Sequence, residues 1–537
     1  MSLLDEVSIM ITPNGRSTSV SLSGDNVLFV VLPEPIIGTE IIINGDFDND
    51  SDWTKGTGWT ISGGTANSVA SGGSSYLSQN SILNSGNTYK ITFTISNYVS
   101  GDLKATVSGL EGEARNSNGS YVEYLTTTGT SFAFKSQSGT FIGSIDNVSV
   151  KEYTSADMDF TRATTANFVN NTGIIQGTSA GIPRLDYRVS ESCPHILVEP
   201  QRTNICLRSQ ELDNASWTKQ NVTVTANSTT SPDGTVNAEK VAKNGVSADD
   251  KIEQSIAISN STEYSISAFL KNNDNPNGGK TTLAFRVSGG TLFRKGYEWT
   301  GSTLAATTTF ASGTRTNEFI EDYGNDWYRV GFSFTSDGTY GDFEIDVDRS
   351  GGTSTTSIYA WGCQLEEGGF KTSYIETSTA SVTRNGEVFE RTGIADLINS
   401  SEGVLFIEMA ALADSGVHRQ ISLSDGSADN RVSIGLSNST GNLSAQIKSG
   451  GAFSMNKAKT ATQTNFNKIA VKWKVNDMAV WLNGSEVDTD VSGAAPIGLN
   501  ELSFQRGDDS NWFFGKVRQI QVYKTALSDA QLGALTT

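Results

Sequence analysis

Two groups of aromatic residues sit among amides and charges in a pattern that suits sugar recognition. Trp53, Trp59 and Tyr76 form the first group; Arg506, Asn511 and Trp512 form the second. A flat ring stacks on the C–H face of a pyranose, while amide and charged groups read its hydroxyls. Trp512 follows RGDDSN, a loop-like stretch that favours exposure. For Trp53 and Trp59, core packing competes with ligand contact and weighs more heavily. Trp361, Trp473 and Trp481 fall in alternating strand runs and are expected in cores. The Arg506-Gly507-Asp508 triplet is short enough to arise by chance and receives no role.

Calcium takes several oxygen ligands from loops, and two places offer them. Asp46, Asp48, Asp50 and Asp52 alternate in DFDNDSD, but the glycine and the bidentate glutamate of an EF-hand loop are missing. A jelly-roll site using Asp46 or Asp146 stays open, against solvated loop carboxylates. Asp425, Asp429 and Asn430 in SDGSADNR form the second place, against a polar hairpin turn. Calcium is thus the one candidate ion, and no other cofactor is expected. Zinc is excluded, because three cysteines and two histidines show no CxxC or HxxxH spacing.

Nucleophilic catalysis finds little support. Cys193 and His195 would share one face of a strand, yet nothing nearby supplies an oxyanion hole or a cleft. A buried structural cysteine and a turn histidine explain SCPHILVEP better. His418 lies in a polar stretch and is expected on the surface. Glycoside hydrolysis needs two carboxylates at a set separation. Acidic pairs such as Glu366 and Glu367 abound, but no parallel β-helix repeats accompany them. No catalytic residue is assigned, and the chain is read as a non-enzyme.

The elements that must position these residues are strands. Tyr89, Ile91, Phe93 and Ile95 alternate at period two, placing one kind of side chain on one face. Turn residues recur every ~8–12 residues. Hydrophobic residues are only 36%, which fits thin two-sheet cores with one wet face per strand. Disorder competes with this reading, but 9 Trp, 15 Tyr and 24 Phe lie inside alternating runs. The chain therefore reads as all-β, a series of β-sandwiches. Its 537 residues suit roughly three or four domains.

The expected borders are a segment at 1–37, a sandwich at 38–153, a connector at 154–204, a second sandwich at 205–380, a linker at 381–400 and a last sandwich at 401–537. Residues 1–37 are too few for a core of their own; they read as an anchor, or as a strand lent to the next domain. If they are an anchor, their deletion leaves the sandwiches folded. Ser528 and Gln531 mark a short helix near the end by capping-box spacing. A net charge of −19 without a basic cluster excludes nucleic acid as a direct ligand. The odd cysteine count points to free thiols and a reducing compartment. The first residues lack the basic and apolar regions of a signal peptide, and no apolar run approaches the ~18 residues of a membrane span.

Several motifs resemble known families. NGDFDNDSDWTKGTGW, closed by IDNVSVKEY, resembles the family 4/9 type of carbohydrate-binding jelly roll. YAWGCQLEEGGFKTSYIET closes the second sandwich and is similar to related domains of phage structural proteins. DFTRATTANFV, IPRLDY and ILVEPQRTNICLRSQELDNASWTK together resemble a connector of phage tail and capsid-fibre proteins. WLNGSEVDT and FGKVRQIQVYKTALSDAQL resemble laminin-G and concanavalin-like lectin domains. The combination implies a structural phage virion protein, a tail fibre, capsid fibre or decoration protein with lectin-like modules. Its implied partners are other capsid, neck or tail proteins, reached through residues 1–37, and a host-surface glycan or receptor. The implied state is a homo-oligomer, with a trimer natural for a fibre, located in the virion after assembly in the host cytoplasm. A cell-surface carbohydrate-binding adhesin is the alternative, and a polysaccharide-degrading enzyme a more distant one.

Overall fold

The computed structural model describes residues 7–11, 30–31, 36–154, 158–187, 194–245, 249–349 and 356–537. Among the described residues, apart from the helix Asp529–Thr536 and two short 3-10 turns, the regular elements are strands paired in antiparallel sheets. The all-β expectation holds. The chain divides into two compact units, Leu32–Asp157 and a larger one built from Met1–Val31 and Met158–Thr537.

In the smaller unit a five-stranded sheet and a six-stranded sheet enclose one core. The long strand Thr88–Ser100 shows why: Tyr89, Ile91, Phe93 and Ile95 point inward and are at most 1% exposed. Phe93 meets Phe134 of the opposite sheet edge to face, at 4.9 Å between centroids. Alternating apolar positions thus become one inner face, and burial of large rings supplies most of the cohesion.

The larger unit holds two sandwiches. The middle one packs an eight-stranded sheet, with Glu263–Asn272 and Ser357–Glu367 at its centre, against a six-stranded sheet containing Lys280–Val287 and Tyr340–Asp346. Its core joins Ile266 and Phe332 of the first sheet to Leu283, Phe343 and Trp299 of the second. In the terminal sandwich a nine-stranded sheet is ordered around Gly515–Tyr523 and Glu402–Ala411. A seven-stranded sheet includes Arg419–Ser424, Arg431–Leu436 and Asn442–Ser449. Ser528 precedes the terminal helix, its amide donating to Gln531 Oε1 at 2.9 Å, and the capping box is formed.

Strand pairing redraws the expected borders. Val7–Ile11 pairs with the upper half of Gly515–Tyr523, matching Ile9 with Val522 and Ile11 with Ile520. Ile9 and Ile11 are 2% and 1% exposed. Within the segment 1–37, Val7–Ile11 is thus lent to the last domain, whereas Ile36 and Ile37 open the strand Ile36–Glu40, which pairs with Ile142–Thr154 of the next one. An edge of a long strand offers unpaired backbone groups, and a short apolar segment satisfies them. The connector is not free either. Its strands Arg184–Asp186 and His195–Val198 extend the same nine-stranded sheet, and Asp159–Thr161 joins the seven-stranded one. The linker supplies Val388–Arg391 to that seven-stranded sheet.

A buried charge network ties these pieces together. Arg162 and Arg184 of the connector both reach Glu387 of the linker, at 2.7 and 2.5 Å. Arg184 and Arg384 reach Glu199, at 2.8 and 2.7 Å. Glu199 also accepts from the Ser373 amide and hydroxyl of the middle sandwich, both at 2.7 Å. Burial pushes the Glu199 carboxyl up, but Arg384 and Arg184 outweigh it and hold the group far below the usual carboxylate range. Such a network contributes little net stability over apolar packing, yet it is costly to break and specifies one arrangement.

Candidate functional site

In the first sandwich the aromatic candidates separate by face. Trp53 is 6% exposed; its indole donates to Asn44 O at 2.9 Å and its ring lies 5.3 Å from Phe47. Trp59 is 5% exposed and stacks on Phe141 at 6.3 Å. Both are core residues, which corrects their reading as glycan contacts: Trp59 faces inward on the strand Trp59–Ile61, and Trp53 is drawn in from the loop before Thr54–Lys55 by Asn44 and Phe47. Tyr76 is 45% exposed, between inward-facing neighbours on Ser75–Gln79. Asp46 is exposed, and Asp146 is half-buried with Oδ1 accepting the Asn147 amide at 2.6 Å.

Neither Asp46 nor Asp146 enters a cluster of three metal-ligating groups. Among the described residues such a cluster, within 4.8 Å, forms at Glu253, Asp342 and Glu344. Lys251 already lies 2.7 Å from Glu253 and from Glu344, and Arg286 lies 2.7 Å from Glu344. Protein cations occupy that place.

The loop carrying the second group is tightly self-bonded. Gln505 Oε1 accepts the amides of Gly507 and Asp509 at 2.7 and 2.8 Å. Arg506 Nε donates to Asp508 at 3.0 Å, and the guanidinium pulls that carboxyl down to about 2. Asn511 takes a left-handed backbone (φ 52°), and its carbonyl accepts the Gln420 amide at 2.9 Å. Trp512 is half-buried, its indole donating to Asp509 O at 3.1 Å. Arg506, Asn511 and Trp512 therefore share one fixed loop.

The proposed calcium loop of this domain is a hydrogen-bonded turn. Asp425 accepts the Ser427 amide and hydroxyl at 3.0 and 2.6 Å and the Asn430 amide group at 2.9 Å. Asp429 pairs with Lys448 at 3.0 Å, and Asn430 Oδ1 accepts the Gly450 amide at 2.9 Å. Asp425, Asp429 and Asn430 thus serve the polar hairpin turn in this structure, the alternative to their calcium reading.

Behind this loop, the outward face of the seven-stranded sheet carries a polar row that composition did not reveal. Gln420 donates to Gln446 at 2.8 Å, Arg431 to Gln446 at 2.9 Å, and Gln446 to Asn456 at 3.0 Å. His418 is half-buried there, between Ser444 and Gln420 at 3.3 and 3.0 Å, which corrects its placement on the open surface. Burial pushes its imidazole down, and Arg431 and Arg506 push it further. Phe453, 49% exposed, lies 5.6 Å below Arg431 and 5.5 Å below Lys448. Its outward position on Ala452–Thr460 was the signal that sequence reading passed over.

A cleft of about 570 Å³ opens between the middle and terminal sandwiches. Asp186 of the connector, Phe319, Glu321 and Tyr323 of the middle sandwich and Asn465 of the terminal one line it, above Glu199 and Ser373. Burial pushes Asp186 up to about 6, although its carboxylate accepts the Val169 amide at 2.8 Å. Burial also acts on Glu321, but Lys371 at 2.8 Å prevails and pulls it down to about 2. His195 is fully buried, 3.4 Å from Asp186. Cys193 lies outside the described residues, and the thiols of Cys206 and Cys363 are free, buried and pushed up by burial.

Comparison with known proteins adds a family for one domain. No curated protein matches the chain. Among solved structures, the Ruminococcus gnavus IT-sialidase CBM40 bound to α2,3-sialyllactose is 18% identical, with a TM-score of 0.23 over 27% of this chain and 86% of that one. The N-terminal CBM22-1–CBM22-2 tandem domain of Paenibacillus barcinonensis Xyn10C is 10% identical, with a TM-score of 0.20 over 63% of this chain and 99% of that one. At such identities and scores nothing about ligands follows for this chain. Residues 407–533, within the terminal sandwich, match the Laminin_G_3 family of the concanavalin A-like lectin/glucanase superfamily.

Proposed function

We propose that this chain recognises glycans and presents that recognition as a structural display protein, a fibre or decoration protein of a phage virion. The observation that carries the reading is the lectin-family terminal sandwich with a rigid loop placing Arg506, Asn511 and Trp512 together. Arg506 lies near enough to the polar sheet face to push His418 and Arg431 down, which supports treating loop and face as one surface. Tyr76 offers a separate exposed ring on the first sandwich. Other virion proteins and a host-surface glycan or receptor are the partners on this reading, with a homotrimer as the assembled state. Free buried thiols agree with assembly in a reducing cytoplasm. Any anchoring by residues 1–37 falls mainly on residues outside those described, because Val7–Ile11 is engaged in the terminal sheet.

The test is a glycan array probed with the intact chain and with Trp512→Ala. Binding that drops about tenfold in the variant supports the loop as the site, a loss of the size expected for one aromatic stack. Absence of any bound glycan would refute recognition and leave a purely architectural role. Immunogold labelling of phage particles decides the location.

A further inference from the structure

The cleft between the middle and terminal sandwiches plays no part in the loop-centred reading. Its volume of about 570 Å³ falls within the ~300–1,000 Å³ usual for small-molecule sites. We propose that this cleft binds a neutral, hydroxyl-rich oligosaccharide segment. The ligand class rests on the glycan reading above, whereas the site is a separate one.

Charge bookkeeping favours a neutral ligand. Lys371 is paired with Glu321 at 2.8 Å. Arg329 donates to Thr372 O at 2.8 Å and lies 5.3 Å over the Phe269 ring. Glu199 is held by Arg184 and Arg384. Glu318 is held by Lys295 and Arg315, and Asp186 and Asp322 add carboxyls beside Lys516, so the lining carries more acids than bases and lacks the clustered cations that a phosphate or carboxylate ligand would need. Hydroxyls of a neutral sugar can donate to these carboxylates and accept from the lysines without adding charge to the cleft.

Ring faces come from the edge strand Thr316–Asp322 and the residue after it. Phe319 and Tyr323 are half-buried and line the cleft, Phe319 with the Lys371 ammonium 5.1 Å from its ring. Tyr323 is braced edge-on by Phe269 at 4.9 Å. Exposed Asn465 adds an amide at the mouth. Glu199 and Ser373 form the floor and belong to the buried network, so the walls are set before any ligand arrives. A preformed site avoids the cost of ordering its own side chains.

Calorimetric titration of the intact chain with neutral gluco-, xylo-, manno- and galacto-oligosaccharides tests this. Asn465→Trp narrows the mouth from an exposed position and leaves the core untouched; Phe319→Ala removes a ring face; Trp512→Ala reports on the loop, whose tryptophan does not line the cleft. The expected result is a neutral oligosaccharide whose Kd weakens about tenfold or more in both cleft variants and stays unchanged in Trp512→Ala. Unchanged affinity in Asn465→Trp overturns the proposal, whatever Phe319→Ala does to folding. Binding lost only in Trp512→Ala also overturns it while leaving the loop reading intact. If no neutral oligosaccharide binds, the cleft proposal falls, and the array with acidic glycans judges the loop separately.

Discussion

Glu239 lies on the strand Val236–Lys243 at 3% exposure, and burial pushes its carboxyl up to about 8, with the Asp213 carboxyl adding to the shift. The folded chain therefore keeps a proton that the unfolded chain releases near the usual carboxylate pKa. Stability contributed by this group is full below that range and declines as pH rises towards about 8, by roughly 1.4 kcal/mol per pH unit. Glu239→Gln keeps the shape and removes the proton exchange. Urea unfolding of the variant at a series of pH values should lose this slope and show a gain over the parent at the alkaline end. An unchanged slope would place the titration elsewhere. Nothing in the letters around Glu239 marks it as buried and protonated. Residue identity was legible, but environment was not. Trp53 and Trp59 make the same point, since whether a tryptophan packs inward or meets a sugar depends on strand phase for Trp59 and on loop packing for Trp53.

At the scale of elements, the N-terminal strand matters more than its five residues suggest. Val7–Ile11 covers Ile520–Tyr523 and buries Ile9 and Ile11, with Val7 packed near Phe406 and Leu527. Deleting residues 1–31 should cost about 3–6 kcal/mol, counting ~1.5–3 kcal/mol for each isoleucine. Hydrogen exchange of amides in 520–523 should accelerate, because that edge loses its cover. Unaltered protection there would mean the strand is dispensable. On this prediction truncation perturbs the terminal sandwich as well as any anchor, so substitutions outside Val7–Ile11 are the cleaner probe of anchoring. Alternation within Thr88–Ser100 was readable from the letters because strand phase is local. The partner of Val7–Ile11 was not, because it lies at the opposite end of the chain.

On the scale of the whole molecule, Arg184 joins Glu199 and Glu387 and thereby connects connector, linker and both larger sandwiches. Arg184→Met leaves two buried carboxylates short of a cation and should cost about 3–5 kcal/mol. In urea unfolding followed by tryptophan fluorescence, the transition of residues 158–537 should move to lower denaturant. The transition of Leu32–Asp157, whose core contains none of these residues, should stay in place. A common shift of both transitions would contradict this division of stability. The same network underlies the cleft, so the site depends on how the modules dock.

Period-two patterning, ring content and turn spacing determined by themselves that this chain folds as a series of all-β sandwiches, because each strand's alternation chooses its own buried face. Tertiary structure alone decided which edges the N-terminal and connector strands complete, which charges are buried as one network, and that Asp186, Glu321 and Asn465 share a cleft. Those outcomes depend on contacts between residues hundreds of positions apart, where neither local propensity nor spacing carries information.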